Sequence, residues 1–168
     1  MYTKPIDSKG NLVYSSISEN DLQDITANPP GTPLDATAQG WYLKLDQPGE
    51  KVLGSSVTAD GNILFTSYLP ASASGVCSAA VGSGAVYAVS VKNGDPVLNL
   101  DETGPGDYLA ISDRRRQLKH AGIPPETAVL FPSAGEATVL VGTETLDEID
   151  VGEPRRRTFW QEALEDNL

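Results

Sequence analysis

The chain has 168 residues, a formal charge of −11 and 39% hydrophobic residues. That length suits one domain with a real core, and the apolar content excludes a disordered or collagen-like chain. The acid excess weighs against nucleic acid and against an anionic lipid surface, because both call for a basic face.

A single cysteine, Cys77, permits no internal disulfide and no multi-cysteine zinc site. No apolar run approaches the roughly 20 residues of a membrane span. The opening Met1-Tyr2-Thr3-Lys4-Pro5 is followed by no apolar stretch and is not read as a signal peptide.

In chain order, the reading divides the sequence into three parts. Residues 1–39 hold a leading strand, NLVYSSI at 11–17, and then a long surface connection over 18–39 with Asn28-Pro29-Pro30-Gly31 and Pro33. Residues 40–100 form a blade-like β-meander. GWYLKL (40–45) alternates Trp41, Leu43 and Leu45 against Tyr42 and Lys44. EKVLGSSVTA (50–59) and NILFTSYL (62–69) flank Asp60-Gly61, the residue pair that best tolerates the two positive φ angles of a type I′ hairpin turn. Val57 and Ala59 on one arm, and Ile63 and Phe65 on the other, recur at strand spacing.

A Gly/Ser/Ala-rich loop (70–83) leads to the strand GAVYAVSV (84–91). Lys92-Asn93-Gly94-Asp95 turns it, and PVLNL (96–100) returns with Pro96 at a strand start or an edge. Four or five antiparallel strands in this compass fit a sandwich, a barrel or a propeller blade.

Residues 101–168 form a closing segment with two strands and an amphipathic tail. Its first part is an irregular crossing containing Gly104-Pro105-Gly106, Arg114-Arg115-Arg116 and Gly122-Ile123-Pro124-Pro125, with one helical turn around 111–119. The strands are TAVLF (127–131) and TVLVGT (138–143), joined through Ser133–Glu136. In the tail, Thr158 caps a short helix carrying Phe159, Trp160, Ala163 and Leu164 as its apolar stripe. The expected fold class is therefore all-β, of antiparallel meander strands, with a short C-terminal helix.

Each chemically suggestive cluster has a plainer reading beside it. Arg114–Arg116 and Arg155–Arg157 could grip an anionic ligand, or pair with surface Asp and Glu. His120, the one histidine, has no neighbour at metal-ligand spacing. Asp7-Ser8-Lys9-Gly10-Asn11 lacks the alternating acids and closing Glu of a calcium loop and reads as a turn. Asp101-Glu102 and Asp147-Glu148-Ile149-Asp150 read as solvated surface. Trp41, Tyr42, Phe159 and Trp160 could form a sugar platform, or simply belong to the core. No catalytic, cofactor or metal residue is assigned. The signature motifs of serine hydrolases, zinc peptidases and phosphate-binding loops do not occur.

Taken in order, several of these pieces resemble the closing part of the type IV pilus tip-associated adhesin and biogenesis family (PilY/PilC). They are NLVYSSISEND (11–21), GWYLKLDQPGEKVLGSSVTADGNILFTSYLP (40–70), GSGAVYAVSVKNG (82–94), GIPPETAVLF (122–131), TVLVGT (138–143) and RRRTFWQEAL (155–164). The resemblance covers roughly residues 10–165. It implies the terminal blades of a modified β-propeller, in a protein exported to the bacterial cell surface, outer membrane or pilus tip. It also implies minor pilins and the pilus assembly machinery as partners, and roles in pilus biogenesis, attachment and twitching.

The family's calcium loop and an RGD tripeptide are both missing from this segment, so the resemblance places no cofactor here. Any disulfide of Cys77 would need a partner outside the chain, and a strand-swapped or larger assembly would cover the open edges of terminal blades. Two other functions compete. GAVYAVSVKNGDPV loosely follows the blade repeat of quinoprotein dehydrogenases, although the vicinal cysteines and metal cage of that group have no counterpart. A generic secreted β-domain that binds protein or glycan is the other.

Overall fold

The computed structural model describes residues 8–10, 16–71, 81–100, 109–133 and 136–150. The fold is all-β: among the described residues there are ten strands, two short 3-10 turns, and antiparallel pairing everywhere but once. The tail helix, the loop around Cys77, the clusters Asp101-Glu102 and Arg155–Arg157, and most of the 11–17 strand lie outside the described residues.

The first two strands, β1 (Leu22–Asp24) and β2 (Gly40–Tyr42), form the one parallel pair. The main sheet follows, with β3 (Lys51–Val52), β4 (Val57–Ala59), β5 (Asn62–Leu69), β6 (Ser83–Ser90) and β7 (Arg115–Ala121). Both β3 and β4 pair with β5, which pairs with β6, which pairs with β7. A second sheet runs β10–β9–β8, from β8 (Thr127–Ser133), β9 (Glu136–Val141) and β10 (Glu144–Asp150).

The turn at Asp60-Gly61 has φ of +47° and +76°, as the hairpin signal requires. Its two-residue loop sets the register, so Ala59 pairs with Asn62 and Val57 with Leu64. Val57 and Ala59 therefore share a face with Leu64, while Ile63 and Phe65 project from the opposite one. An even-length turn pairs odd positions with even ones, and a slip of one residue would exchange the faces.

Strands β5 and β6 pair over all eight residues. Because β6 is covered on both sides, residues 84–89 are all buried. One face of the pair carries Leu64, Val86 and Ala88. These join Leu98, Leu100, Leu118, Val139, Val141 and Leu146 in the apolar core between the two sheets. The strand β5 is fastened to the other sheet by Thr66 Oγ1, which donates to the Pro125 carbonyl at 3.0 Å, and by the Leu64 carbonyl, which accepts from Thr127 Oγ1 at 3.3 Å.

Four details differ from the sequence reading. The connection expected over 18–39 contains β1 and buries Ile25 to 1% exposure. Its polar residues serve its own turns: Asp24 Oδ1 accepts from the Thr26 N–H at 2.9 Å and Asp35 Oδ1 from the Thr37 N–H at 2.8 Å. The helical turn expected around 111–119 is a 3-10 turn over Ile111–Arg114 only, and the chain then extends as β7. PVLNL makes a single bridge, Pro96 to Val89, although Leu98 and Leu100 are buried. Pro96 lacks the N–H that a longer ladder needs at that point. Finally, the acidic run 147–150 belongs to β10, whose register against β9 shifts between Thr145 and Glu148.

Candidate functional site

The second face of the β5–β6 pair is polar where the first is apolar. Ser67 and Tyr87 project from it, and Tyr87 stacks face to face on Phe65 with ring centroids 4.8 Å apart. Into this face the turn Asp46-Gln47-Pro48-Gly49 delivers Glu50. Gly49 takes φ of +85°, and the Glu50 N–H donates to the Gln47 carbonyl at 3.0 Å. The carboxylate closes its own turn by accepting from the Gln47 N–H at 3.0 Å. It also accepts from the Ser67 hydroxyl and from Tyr87 Oη at 3.2 and 3.3 Å.

Arg115 completes the cluster. Its Nε lies 3.5 Å from Glu50 Oε1, and its terminal nitrogen lies 4.0 Å from Asp46 Oδ2. The Glu50 side chain is only 1% exposed. Burial pushes the Tyr87 phenol up to about 12; the Asp46 N–H, which donates to its oxygen at 3.1 Å, opposes that rise, and the nearby Glu50 adds to it. Tyr87 is thus held as a neutral hydroxyl that donates to Glu50 and accepts from the backbone. The site joins charge and hydrogen bonds from the turn 46–50, Ser67 on β5, Tyr87 on β6 and Arg115 on β7.

Beside this cluster lies a cavity of about 430 Å³. Its lining combines Lys44, Arg114 and Arg115 with Asp46, Tyr87, Leu43 and Ile111. The 3-10 turn sets Arg114 in place: Asp113 Oδ2 accepts from the Ala110 N–H at 2.7 Å and holds the turn closed. Lys44 Nζ sits 2.9 Å from Asp24 Oδ2 and 5.5 Å from the centre of the Tyr42 ring. Hydrogen bonds from Thr26, with Lys44 contributing further, hold the Asp24 carboxyl well below the usual carboxylate range.

Of the residues singled out from sequence, Arg114 and Arg115 converge here, joined by Lys44, which sequence did not single out. Others do not. His120 Nδ1 engages Glu144 Oε1 at 2.9 Å, joining the edge of β7 to the start of β10. Trp41 donates its indole N–H to the Val91 carbonyl at 3.0 Å and lies against Gly94, so it anchors the β6 turn instead of offering an open ring. Tyr42 follows it in the strand, and successive strand residues leave on opposite faces. Among the described residues, no three His, Cys, Asp or Glu side chains converge as metal ligands, and no helix is long and apolar enough to cross a membrane.

Glu50, Ser67 and Tyr87 were not singled out from sequence. A hint was present: Ser67 and Tyr87 occupy alternate positions of two apolar strands where a polar atom needs a partner. No protein-family model, curated protein or solved structure matches the chain.

Proposed function

We propose that this chain is a non-enzymatic interaction module, the C-terminal part of a type IV pilus assembly and tip-adhesin protein. It would work at the bacterial cell surface, outer membrane or pilus tip, in pilus biogenesis, attachment and twitching. Its partners would be minor pilins or the assembly machinery. The observation that carries this reading is the ordered set of sequence pieces from NLVYSSISEND to RRRTFWQEAL.

The architecture supports it in one respect. The interrupted lane β3–β4, then β5, β6 and β7, is an antiparallel meander taken in chain order. Four such lanes are the plan of a propeller blade. A blade at the end of a ring leaves edges that a neighbouring blade, a swapped strand or a partner must cover.

The test is an in-frame deletion of this segment from the parent gene, in the native host, with the rest of the protein still exported. Loss or alteration of surface pili and of twitching is the expected outcome. Normal piliation and twitching would overturn the proposal.

A further inference from the structure

The arginine run at 114–116 divides its labour, and one member is left with work to do. Arg115 pairs with Glu50 and lies near Asp46. Arg116 donates to the Thr145 carbonyl at 3.3 Å. Arg114 is only 3% exposed, yet it forms no ion pair among the described residues. Its terminal nitrogens donate to the carbonyls of Ile25, Thr26 and Asn28 at 2.9, 3.4 and 3.1 Å. Its Nε is buried with no hydrogen-bond partner.

Carbonyl oxygens satisfy the donors of a guanidinium without cancelling its charge. A buried cation lacking a counter-charge is costly, and a carboxylate is the group whose geometry best suits an arginine fork. Burial lowers the Arg114 pKa, and the more distant Asp95 opposes that fall through space.

The cavity supplies the rest of the specification. Arg114 forms part of its wall together with Arg115 and Lys44, although the Lys44 ammonium is paired with Asp24 at 2.9 Å. Leu43 and Ile111 make the wall partly apolar. Asp46 stands in the same wall and would repel a second negative charge, which favours a monoanion over a phosphate. The volume of about 430 Å³ falls within the small half of ordinary ligand pockets. We propose that this cavity binds a single carboxylate carried on a short apolar body, with Arg114 as its anchor.

The same chemistry comes from a free organic acid or from the C-terminus of a peptide ending in an apolar residue. Calorimetric titration of the full chain with benzoate, 4-methylpentanoate and a leucine-terminated tetrapeptide would separate these sources, each compared with its amide and all compared with inorganic phosphate. Saturable binding of at least one carboxylate, at least tenfold tighter than its amide and than phosphate, is expected, and the probe that binds identifies the source.

Arg114→Gln should abolish binding. Because that variant removes three contacts to the backbone and could unfold, a second variant places a repelling charge at the cavity wall: Ile111→Glu, at a residue that is 40% exposed. It should weaken binding at least tenfold, whereas Val91→Glu, at a residue 44% exposed and outside the cavity, should not. No saturable binding by any carboxylate, equal binding of the amides, or unchanged binding in Ile111→Glu would overturn the proposal.

Discussion

Replacing Glu50 by alanine tests the reading of the polar face most directly. The carboxylate accepts from Ser67, Tyr87 and the Gln47 N–H, and it is the nearest acid to Arg115. Its loss strands a Ser67 hydroxyl on a residue 1% exposed and leaves Tyr87 without its acceptor. Each buried polar group left unpartnered costs about 1–3 kcal/mol. Removing one member of a buried ion pair costs about 3–5 kcal/mol. The electrostatic share is smaller here, because the Arg115 side chain keeps 21% exposure and retains Asp46.

The expected loss for Glu50→Ala is therefore about 3 kcal/mol, a large part of the ~5–15 kcal/mol that holds a typical domain together. Glu50→Gln keeps the shape and one acceptor but turns an NH₂ toward a donor, and it should cost about 1–2 kcal/mol. Urea unfolding followed by tryptophan fluorescence measures both. The denaturant dependence should be unchanged, since the fold is retained. A Glu50→Ala loss under about 1 kcal/mol would refute the claim that this carboxylate organises the face.

Three further outcomes are expected. Gly94→Ala should destabilise by more than about 2 kcal/mol in the same assay, because Gly94 has φ of +67° and an added Cβ would collide with Ile25 Cδ1. On the acid side, Glu144 has its pKa lowered: burial acts to raise it, but hydrogen bonds from the His120 and Lys119 N–H groups and from the His120 ring outweigh burial. A carboxyl with a lowered folded pKa contributes stability above its unfolded value of 4.5 and loses it as pH falls through the folded value, so Glu144→Gln should flatten the acid limb of a stability–pH curve. On the alkaline side, the phenol of Tyr87 moves from 10.0 in the unfolded chain to about 12, so its contribution is complete below pH 10 and lost as pH rises toward about 12; Tyr87→Phe should remove that loss, and a spectrophotometric tyrosine titration should show a phenol ionising near 12 that is missing from the variant.

What the sequence made legible follows its local signals. Asp60-Gly61 announced the hairpin because few other residue pairs accept two positive φ angles. NILFTSYL and GAVYAVSV were plain as strands because their β-branched and aromatic residues suit a covered sheet. The strand β7 was obscured because RRQLKHA presents mostly charged and polar side chains and buries only Leu118. Its own ladder with β6 is irregular, with Ala121 pairing Ser83 and Gln117 pairing Ala85, so a period of two does not survive along it. The shifted register of β10 hid that strand in the same way.

The candidate site was legible only in fragments. Arg114 and Arg115 stood out as a basic run, but neighbours in sequence gave no sign that one would be buried against carbonyls 86 to 89 positions away. Glu50 resembled any surface acid beside a Pro-Gly turn, and only the register of two other strands brings Ser67 and Tyr87 to it.

The span of the Arg114 contacts also has a kinetic meaning. Bringing this side chain to the carbonyls of Ile25 and Asn28 closes loops of 89 and 86 positions, and such closures gain nothing until the intervening hairpins stand. The β4–β5–β6 hairpins, made of near neighbours, would assemble early, and the N-terminal arm would be laid across them late. Losing the guanidinium would then leave the refolding limb of a chevron almost untouched and steepen the escape from the native state, making Arg114 a clasp that sets how long the folded chain lasts.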